Sequence, residues 1–138
     1  MSYAVASALQ EAVYERLTFD ANVYDLVQGA VYDGVPAGTV PPLFISLGEE
    51  KVTDRSDADG YGALHEVVVS VVSSANGFQS AKRVAGAVSD ALLGAPLVLG
   101  RGYLVGIWFR GAEARRITRS GTRRIDMRFR AQIQDSSL

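Results

Sequence analysis

The sequence predicts a two-layer α+β domain, with helices packed on one face of a mainly antiparallel sheet of about four strands. Three observations predict this class: an amphipathic helical pattern near the N-terminus, two apolar runs typical of strands, and a closing segment in which apolar and polar residues alternate strictly. Because the chain has 138 residues, we expect a single domain over 1–138 with one hydrophobic core.

Three helices are predicted. The first covers 3–17, the second covers 20–28, and the third covers 78–93, where Gly94 is placed to end it. In the first helix the apolar side chains recur every four positions, which puts them on one stripe that faces the core. This stripe consists of Val5, Leu9, Val13 and Leu17.

The predicted strands cover 43–47, 64–73, 103–112 and 124–133, with a brief additional strand at Val31-Tyr32. The segment 124–133 alternates at every position, so one face enters the core and the other meets water or a charged partner. The inward residues are Ile125, Met127, Phe129, Ala131 and Ile133, and the outward residues are Arg124, Asp126, Arg128, Arg130 and Gln132.

Two of these strands are apolar on both faces. The strand 64–73 carries five valines, and 103–112 places Val105, Ile107 and Phe109 on one face and Leu104 and Trp108 on the other. Strands of this kind are usually covered on both sides. A domain of this length has little chain left to cover a second face, so we expect a neighbouring subunit to do so.

The charge is strongly divided along the chain. Residues 1–100 hold five basic and twelve acidic residues (net −7), whereas 101–138 hold nine arginines and three acidic residues (net +6). The acidic part includes 48–62, a polar segment that we expect to form an extended loop or the tip of a long hairpin. The basic part includes a hairpin connection, 115–124, that turns at Ser120-Gly121.

Charge polarity of this kind can join identical subunits through unlike faces. Arginine is also favoured at protein interfaces, where its planar fork pairs with carboxylates. We therefore predict contacts between subunits or between rings at Glu49, Glu50, Asp54, Arg55, Asp57, Asp59, Arg115, Arg116, Arg119, Arg123 and Arg124.

The alternative for the basic hairpin is direct DNA contact. Its arginines continue onto the strand face at Arg128 and Arg130, and such a ribbon could hold phosphates. Against this, the sequence pI is about 5.8 and no aromatic residues are interleaved with the arginines for base stacking. The interface hypothesis is favoured, and a DNA-binding accessory protein that acts through Arg115–Arg130 remains the second hypothesis.

Residues for catalysis are scarce in this sequence. There is no cysteine, and the one histidine, His65, begins an apolar strand without a nucleophile-elbow motif nearby. A catalytic His65 is therefore less favoured than a structural, hydrogen-bonded one. We predict no catalytic residues and no enzymatic activity.

Metal and cofactor motifs are also incomplete. Aligned with a calcium-binding EF-hand loop, Asp57, Asp59, Gly60 and Glu66 fit, but Arg55 stands where a carboxylate is needed. The glycines at 100, 102 and 106 lack the dinucleotide spacing and enter a strand rather than a helix. We predict no cofactor and no metal. The N-terminus does not resemble a signal peptide, and no apolar run reaches membrane-spanning length.

Several short segments occur in a characteristic order along nearly the whole chain. The most telling are Val31-Tyr32-Asp33-Gly34-Val35-Pro36 and the closing Arg128-Phe129-Arg130-Ala131. With them the chain resembles the small phage tail completion or tail terminator family, including the member carried by gene transfer agent particles. One departure is Val72-Ser73, where an aromatic residue is expected before the serine. The other segments are Tyr14-Glu15-Arg16-Leu17-Thr18, Pro42-Leu43-Phe44-Ile45-Ser46-Leu47-Gly48, His65 with its valine strand, Ala81-Lys82, Ala91-Leu92, Ala95-Pro96-Leu97 and Gly102-Tyr103-Leu104-Val105.

The resemblance implies a structural protein that assembles in the bacterial cytoplasm and becomes part of the tail or neck of a particle. It implies a hexameric homo-oligomer that stops growth of the tail tube and presents a docking face to the head–tail connector or stopper protein. The expected partners are the tail tube protein, that connector and further copies of this chain, without a membrane. DNA is expected to pass through the lumen without being read.

Overall fold

A computed structural model describes residues 3–34, 37–54 and 62–135, the side chain of Asp54 excepted. In these ranges the chain forms three helices and five strands. In chain order they are α1 (Ala6–Phe19), α2 (Ala21–Val27), β1 (Val31–Asp33), β2 (Leu43–Asp54), β3 (Gly62–Ser73), α3 (Gln79–Gly94), β4 (Tyr103–Arg116) and β5 (Arg123–Gln134).

The helices occur where their patterns predicted them, with small differences at their ends. The Asp20 carboxylate accepts a hydrogen bond from the Val23 backbone N–H at 3.0 Å, which caps the start of α2. α2 ends where Gln28 takes the left-handed conformation, with φ of 54°. α3 continues through Gly94, one residue beyond the predicted end.

The strands form a single sheet in the order β1-β2-β3-β5-β4. β1 pairs parallel with β2, and every other neighbouring pair is antiparallel. The sheet has five strands rather than about four, because the brief segment Val31–Asp33 pairs with 45–47 of β2. The α+β prediction is confirmed.

The hydrophobic core lies between the helices and the inward face of the sheet. The predicted α1 stripe is buried, and Phe129 of β5 is fully buried beneath the helices, as are Val69 of β3 and Val88 of α3. The Arg16 guanidinium donates hydrogen bonds to the carbonyl oxygens of Ala91 and Ala95 at 2.8 and 2.9 Å, which joins α1 to the end of α3. All inward residues predicted for the last strand are buried.

Within the polar segment 48–62, residues 48–54 belong to β2 and residue 62 begins β3. β2 pairs with β3 as far as Asp54 opposite Ala63, so the extended-loop alternative is wrong over 49–54 and the long-hairpin alternative is confirmed there. Residues 55–61 lie outside the described ranges. A bulge separates Leu47 from Glu50, and Gly48 within it has φ of 140°, a conformation that favours glycine.

β4 contains two bulges that change which side chains share a face. The register shifts between Leu104 and Gly106 and again between Phe109 and Gly111. The predicted assignment of faces over 103–112 is therefore wrong in part: Leu104 opposite Ile133 is on the same inward face as Phe109 opposite Phe129. Each extra residue of a bulge moves the following residues to the other face.

Candidate interaction surfaces

The edge strand β4 exposes four large apolar side chains in the isolated chain. Tyr103 and Val105 are each 50% exposed, and Trp108 and Phe109 are 46% and 47% exposed. One side of the Phe109 ring packs edge-on against buried Phe129, with 5.7 Å between ring centroids, and the rest of the ring is accessible. Exposed aromatic residues along a sheet edge are typical of protein interfaces.

The central strand β3, predicted to resemble β4 in this respect, is much better covered. Its inward face packs beneath the helices, and on its outward face Leu64, Val68 and Val72 are only half-buried rather than exposed. Neighbouring β2 and β5 flank that face with long side chains such as Lys51 and Arg130, which lie near Leu64. The apolar surface that still lacks cover therefore belongs to β4.

Asp126 organises the basic hairpin. Its Oδ1 accepts hydrogen bonds from Ser70 Oγ at 2.6 Å and from Arg124 Nε at 2.8 Å, and its Oδ2 lies 3.2 Å from an Arg115 guanidinium nitrogen. Burial raises the pKa of this carboxyl group, but the hydrogen bonds and the two positive charges outweigh burial and hold its pKa below the ordinary value.

Three of the five predicted hairpin arginines therefore have partners within the chain. Arg115 and Arg124 contact Asp126, while Arg123 donates to the Gly121 carbonyl at 2.6 Å and lies over the Phe78 ring, 5.6 Å from its centroid. Arg116 and Arg119 are exposed and form no ion pair with any described residue.

Two further arginines, not among the predicted contacts, are exposed beside the aromatic residues of β4. Arg110 and Arg128 form no ion pair within the described part of the chain. Arg128 extends over Gly111, where a β-carbon would lie 3.1 Å from its guanidinium nitrogen. The signal for Arg110 was available, because a lone arginine followed by glycine interrupts the apolar run of this strand.

The acidic candidates differ among themselves. Glu49 is exposed and forms no ion pair with a described residue, so it is available to a partner. Glu50 is already engaged: it accepts a hydrogen bond from Tyr3 Oη at 2.6 Å, and its other oxygen lies 3.2 Å from His65 Nδ1. Asp54 ends β2, and its side chain is outside the described set, as are Arg55, Asp57 and Asp59.

His65 is fully buried on the inward face of β3. Its Nδ1 contacts Glu50, and its Nε2 has no hydrogen-bond partner among the described residues. A histidine acting as a general base needs a nucleophile within hydrogen-bond reach, and within the described ranges none contacts this imidazole. The hydrogen bond from Tyr3 to Glu50 raises the pKa of the tyrosine hydroxyl.

Possible metal ligands do not cluster in the described ranges. Among residues 3–34, 37–54 and 62–135, no group of three or more His, Asp or Glu side chains could hold a metal ion. None of the helices described is long and apolar enough to cross a bilayer. The surface chemistry consists of an aromatic sheet edge, an arginine-rich strand face and an acidic hairpin arm, which together are typical of a subunit that assembles with other proteins.

Comparison with known proteins agrees with this class. The chain belongs to the tail completion protein gp17 family, whose family model matches residues 11–134. It is also similar to a chain in the solved structure "Virion of native gene transfer agent (GTA) particle", with 55% sequence identity and a TM-score of 0.90. That match covers 96% of this chain and 99% of the other. No curated protein sequence matches this chain.

These findings confirm the resemblance inferred from the sequence. The chain is a phage-type tail completion protein with a structural role in the tail of a phage or gene transfer agent particle.

Proposed function

We propose that this chain forms a hexameric ring at the head-proximal end of the tail tube, where it ends tube growth and joins the tail to the head connector. DNA passes through the lumen of this ring without sequence-specific contact. The observation that carries the proposal is the combination of tail completion family membership with an aromatic edge strand that the single chain leaves uncovered.

The closing interfaces of a ring are heterologous, so each copy offers two different surfaces. Unlike surfaces are present here: β4 and β5 carry unpaired arginines, whereas the arm of β2 carries exposed Glu49. Arg116 and Arg119 lie around the hairpin turn, away from the aromatic residues, and are the hairpin arginines best placed for contacts to another ring. The contacts predicted at Asp54, Arg55, Asp57 and Asp59 belong to the same proposal.

The test is electron microscopy of particles from producing cells that lack this protein. We expect tails that are over-long or not joined to heads, and restoration of normal tails when the wild-type chain is supplied in trans. Tails of normal length attached to heads in the absence of the protein would contradict the proposal. End-on images of isolated tails from the complemented cells would show whether the terminal ring is six-fold.

A DNA-binding accessory role is the second candidate, and one observation favours it. Arg110, Arg116, Arg119 and Arg128 are exposed cations without an ion pair in the described chain. Because Asp126 neutralises part of the hairpin, the ring proposal is the stronger one.

A mobility-shift titration with duplex DNA tests this second role. The variant carrying Arg116→Ala, Arg119→Ala and Arg128→Ala, which removes only exposed arginines without an ion pair in the described chain, would bind more weakly than wild type, with a smaller salt dependence. No shift for the wild-type chain at low salt would exclude it.

The chain is also proposed to have no enzymatic activity. His65→Gln keeps a polar side chain at the same buried position, and we expect it to leave particle assembly and DNA delivery unchanged. Loss of delivery from particles that assemble normally would contradict this expectation.

A further inference from the structure

We propose that β4 of one copy pairs antiparallel with the free arm of β2, residues 49–54, in the next copy, so that the sheets of neighbouring subunits join edge to edge. This inference rests on the proposed ring and names the surfaces that build it. The partner is a second copy of this chain, and the contact is heterologous.

Both participating edges are open in the single chain. β4 pairs with β5 on one side and with no described strand on the other. β2 is only partly covered, because β1 pairs with Ile45–Leu47 and no strand in the described ranges continues beside residues 49–54. An uncovered edge presents a row of backbone donors and acceptors that another strand can pair with.

The register places these two open edges at the same level of the sheet. Glu50 lies opposite Val67, Val67 opposite Phe129, and Phe129 opposite Phe109. At the far end, Asp54 follows the same path to Leu104 through β3 and β5. A cyclic assembly whose strands run along the ring axis keeps this level from copy to copy, so the free arm of β2 meets residues 104–110 of β4.

The direction of pairing follows from the strand order. β2, β3, β5 and β4 alternate in direction across the sheet, so β4 runs opposite to β2. Rotation about an axis along the strands preserves that relation between one copy and the next. The shared edge is therefore antiparallel, as in the rest of the four-strand body of the sheet.

The proposed pairing accounts for the exposed aromatic residues of β4. Trp108 and Phe109 are about half exposed and lie within the segment that would be paired. Bulges and charges often protect an edge strand from pairing, and β4 has two bulges. If the bulges kept this edge unpaired, its large apolar side chains would remain in water. Pairing with a second copy would instead bury them.

Charge complementarity supports the same arrangement. Arg110 is the extra residue of the second β4 bulge, and Glu49 lies within the β2 bulge. Both bulges occur at the level of the Val68–Arg128 pair, so Arg110 of one copy stands level with Glu49 of the next. Neither residue has an ion pair within the described chain, and each would gain one in the assembly.

Disulfide cross-linking tests the contact directly, because the natural chain has no cysteine. Adjacent strands lie about 4.8 Å apart, within the range that a disulfide bridges. Tails would be assembled with Glu49→Cys plus Arg110→Cys, or with Thr53→Cys plus Val105→Cys, and oxidised before denaturing electrophoresis. We expect a ladder of covalent multimers from each pair that ends at the ring size, and monomers from each single variant.

A matched control combines Thr53→Cys with Ala114→Cys. Both residues are exposed, but Ala114 is level with Ile45 rather than with the free arm, so this pair should stay monomeric. Dimers from Arg110→Cys alone would indicate that like surfaces meet and would overturn the heterologous contact. Ladders of multimers from the control pair would contradict the predicted register between β4 and the free arm of β2.

The two proposals fail differently in this experiment. If end-on images show a terminal ring but neither of the two test cysteine pairs forms multimers, the edge contact is wrong and the ring proposal stands. If tails that contain the chain show no ring, the proposed function itself fails. Cross-links from the cysteines of the test pairs to another tail or head protein would show that β4 contacts that protein instead of a second copy.

Discussion

β3 and β4 are similar as sequences and different as parts of the molecule. Both are apolar on two faces, but β3 lies between β2 and β5 whereas β4 is the last strand of the sheet. β3 is covered on its inward face and half-buried on its outward face, while β4 leaves four large apolar side chains about half exposed. A doubly apolar pattern therefore does not distinguish a central strand that its own chain covers from an edge strand that its own chain leaves exposed.

The largest expected effect compares two phenylalanines that touch each other. Phe129→Ala removes a fully buried ring, and we expect the free energy of unfolding to fall by about 3–5 kcal/mol. Phe109→Ala removes a ring that is about half exposed, so the same quantity should fall by only about 1 kcal/mol in the unassembled chain. Denaturant titrations of both variants measure the difference, and equal losses would show that β4 is part of the monomer core.

The next effect separates assembly from folding. Trp108→Ser should lower the free energy of unfolding of the unassembled chain by only about 1 kcal/mol, because the indole is about half exposed there. It should weaken association between copies by about 2 kcal/mol or more, because buried interface tryptophans are typical hot spots. Native mass spectrometry of the variant against wild type measures the multimer fraction.

Val68→Thr is the control for that substitution, since it changes an apolar side chain on the outward face of β3 that its own chain half-covers. We expect it to leave the multimer fraction unchanged. If Val68→Thr reduced assembly as much as Trp108→Ser, the distinction between the central and the edge strand would not hold.

A smaller effect concerns the polar cluster that links β3 to β4 and β5 through Asp126. Because the pKa of Asp126 is lowered in the folded chain, its contribution to stability is present above the unfolded pKa of about 3.9 and is lost as pH falls through the folded pKa. Asp126→Asn should therefore lower the free energy of unfolding by on the order of 1 kcal/mol near neutral pH. Its deficit relative to wild type should shrink in acid.

Unfolding of both proteins between pH 7 and pH 2 tests this pH dependence. Glu113→Gln is a suitable control, because Glu113 is exposed and lies 3.8 Å from Arg115 as its only ion-pair partner among described residues. It should show little change at any pH. A deficit of Asp126→Asn that grew in acid would have the wrong sign for this account.

The smallest effect distinguishes the arginines of the hairpin. Arg119→Ala should change the free energy of unfolding by less than about 0.5 kcal/mol, since the side chain is exposed and has no ion pair in the described chain. Arg124→Ala should cost more, because it removes one hydrogen-bond donor from both Asp126 and Ser70 and leaves the partly buried carboxylate with less positive charge beside it. Thermal unfolding of the two variants side by side measures the difference, and an equal response would contradict the role assigned to Asp126.

Periodic patterns of apolar residues predicted the helices and strands that bury one face along their whole length. The stripe of α1 and the alternation of β5 each reflect one buried face, so periodicity was sufficient to locate them. The hairpin arm at 49–54 was harder, because its charged residues are typical of loops and its strand conformation depends on pairing with β3. Nor did alternation reveal the β4 bulges, since a bulge is defined by the register with the neighbouring strand.

The candidate contact residues were likewise predicted only in part. The division of charge along the chain indicated an interacting surface, and the arginines at the hairpin were identified by composition. Sequence spacing did not show that Arg115 and Arg124 share Asp126, because the contact with Arg115 joins two neighbouring strands and the carboxylate also bonds Ser70 of a third strand. It also did not identify Arg110 as an unpaired charge beside the exposed aromatic residues.

The sequence by itself determined the class of fold, most of the helices and strands, and the family, because these depend on local periodicity and on short segments in order. The tertiary structure decided which doubly apolar strand stands at the edge, which arginines are neutralised and which charges remain unpaired. Those properties depend on strand order and register, which bring together residues far apart in the chain. The exposed side of β4 is one such property, and it is the surface from which assembly with a second copy is proposed.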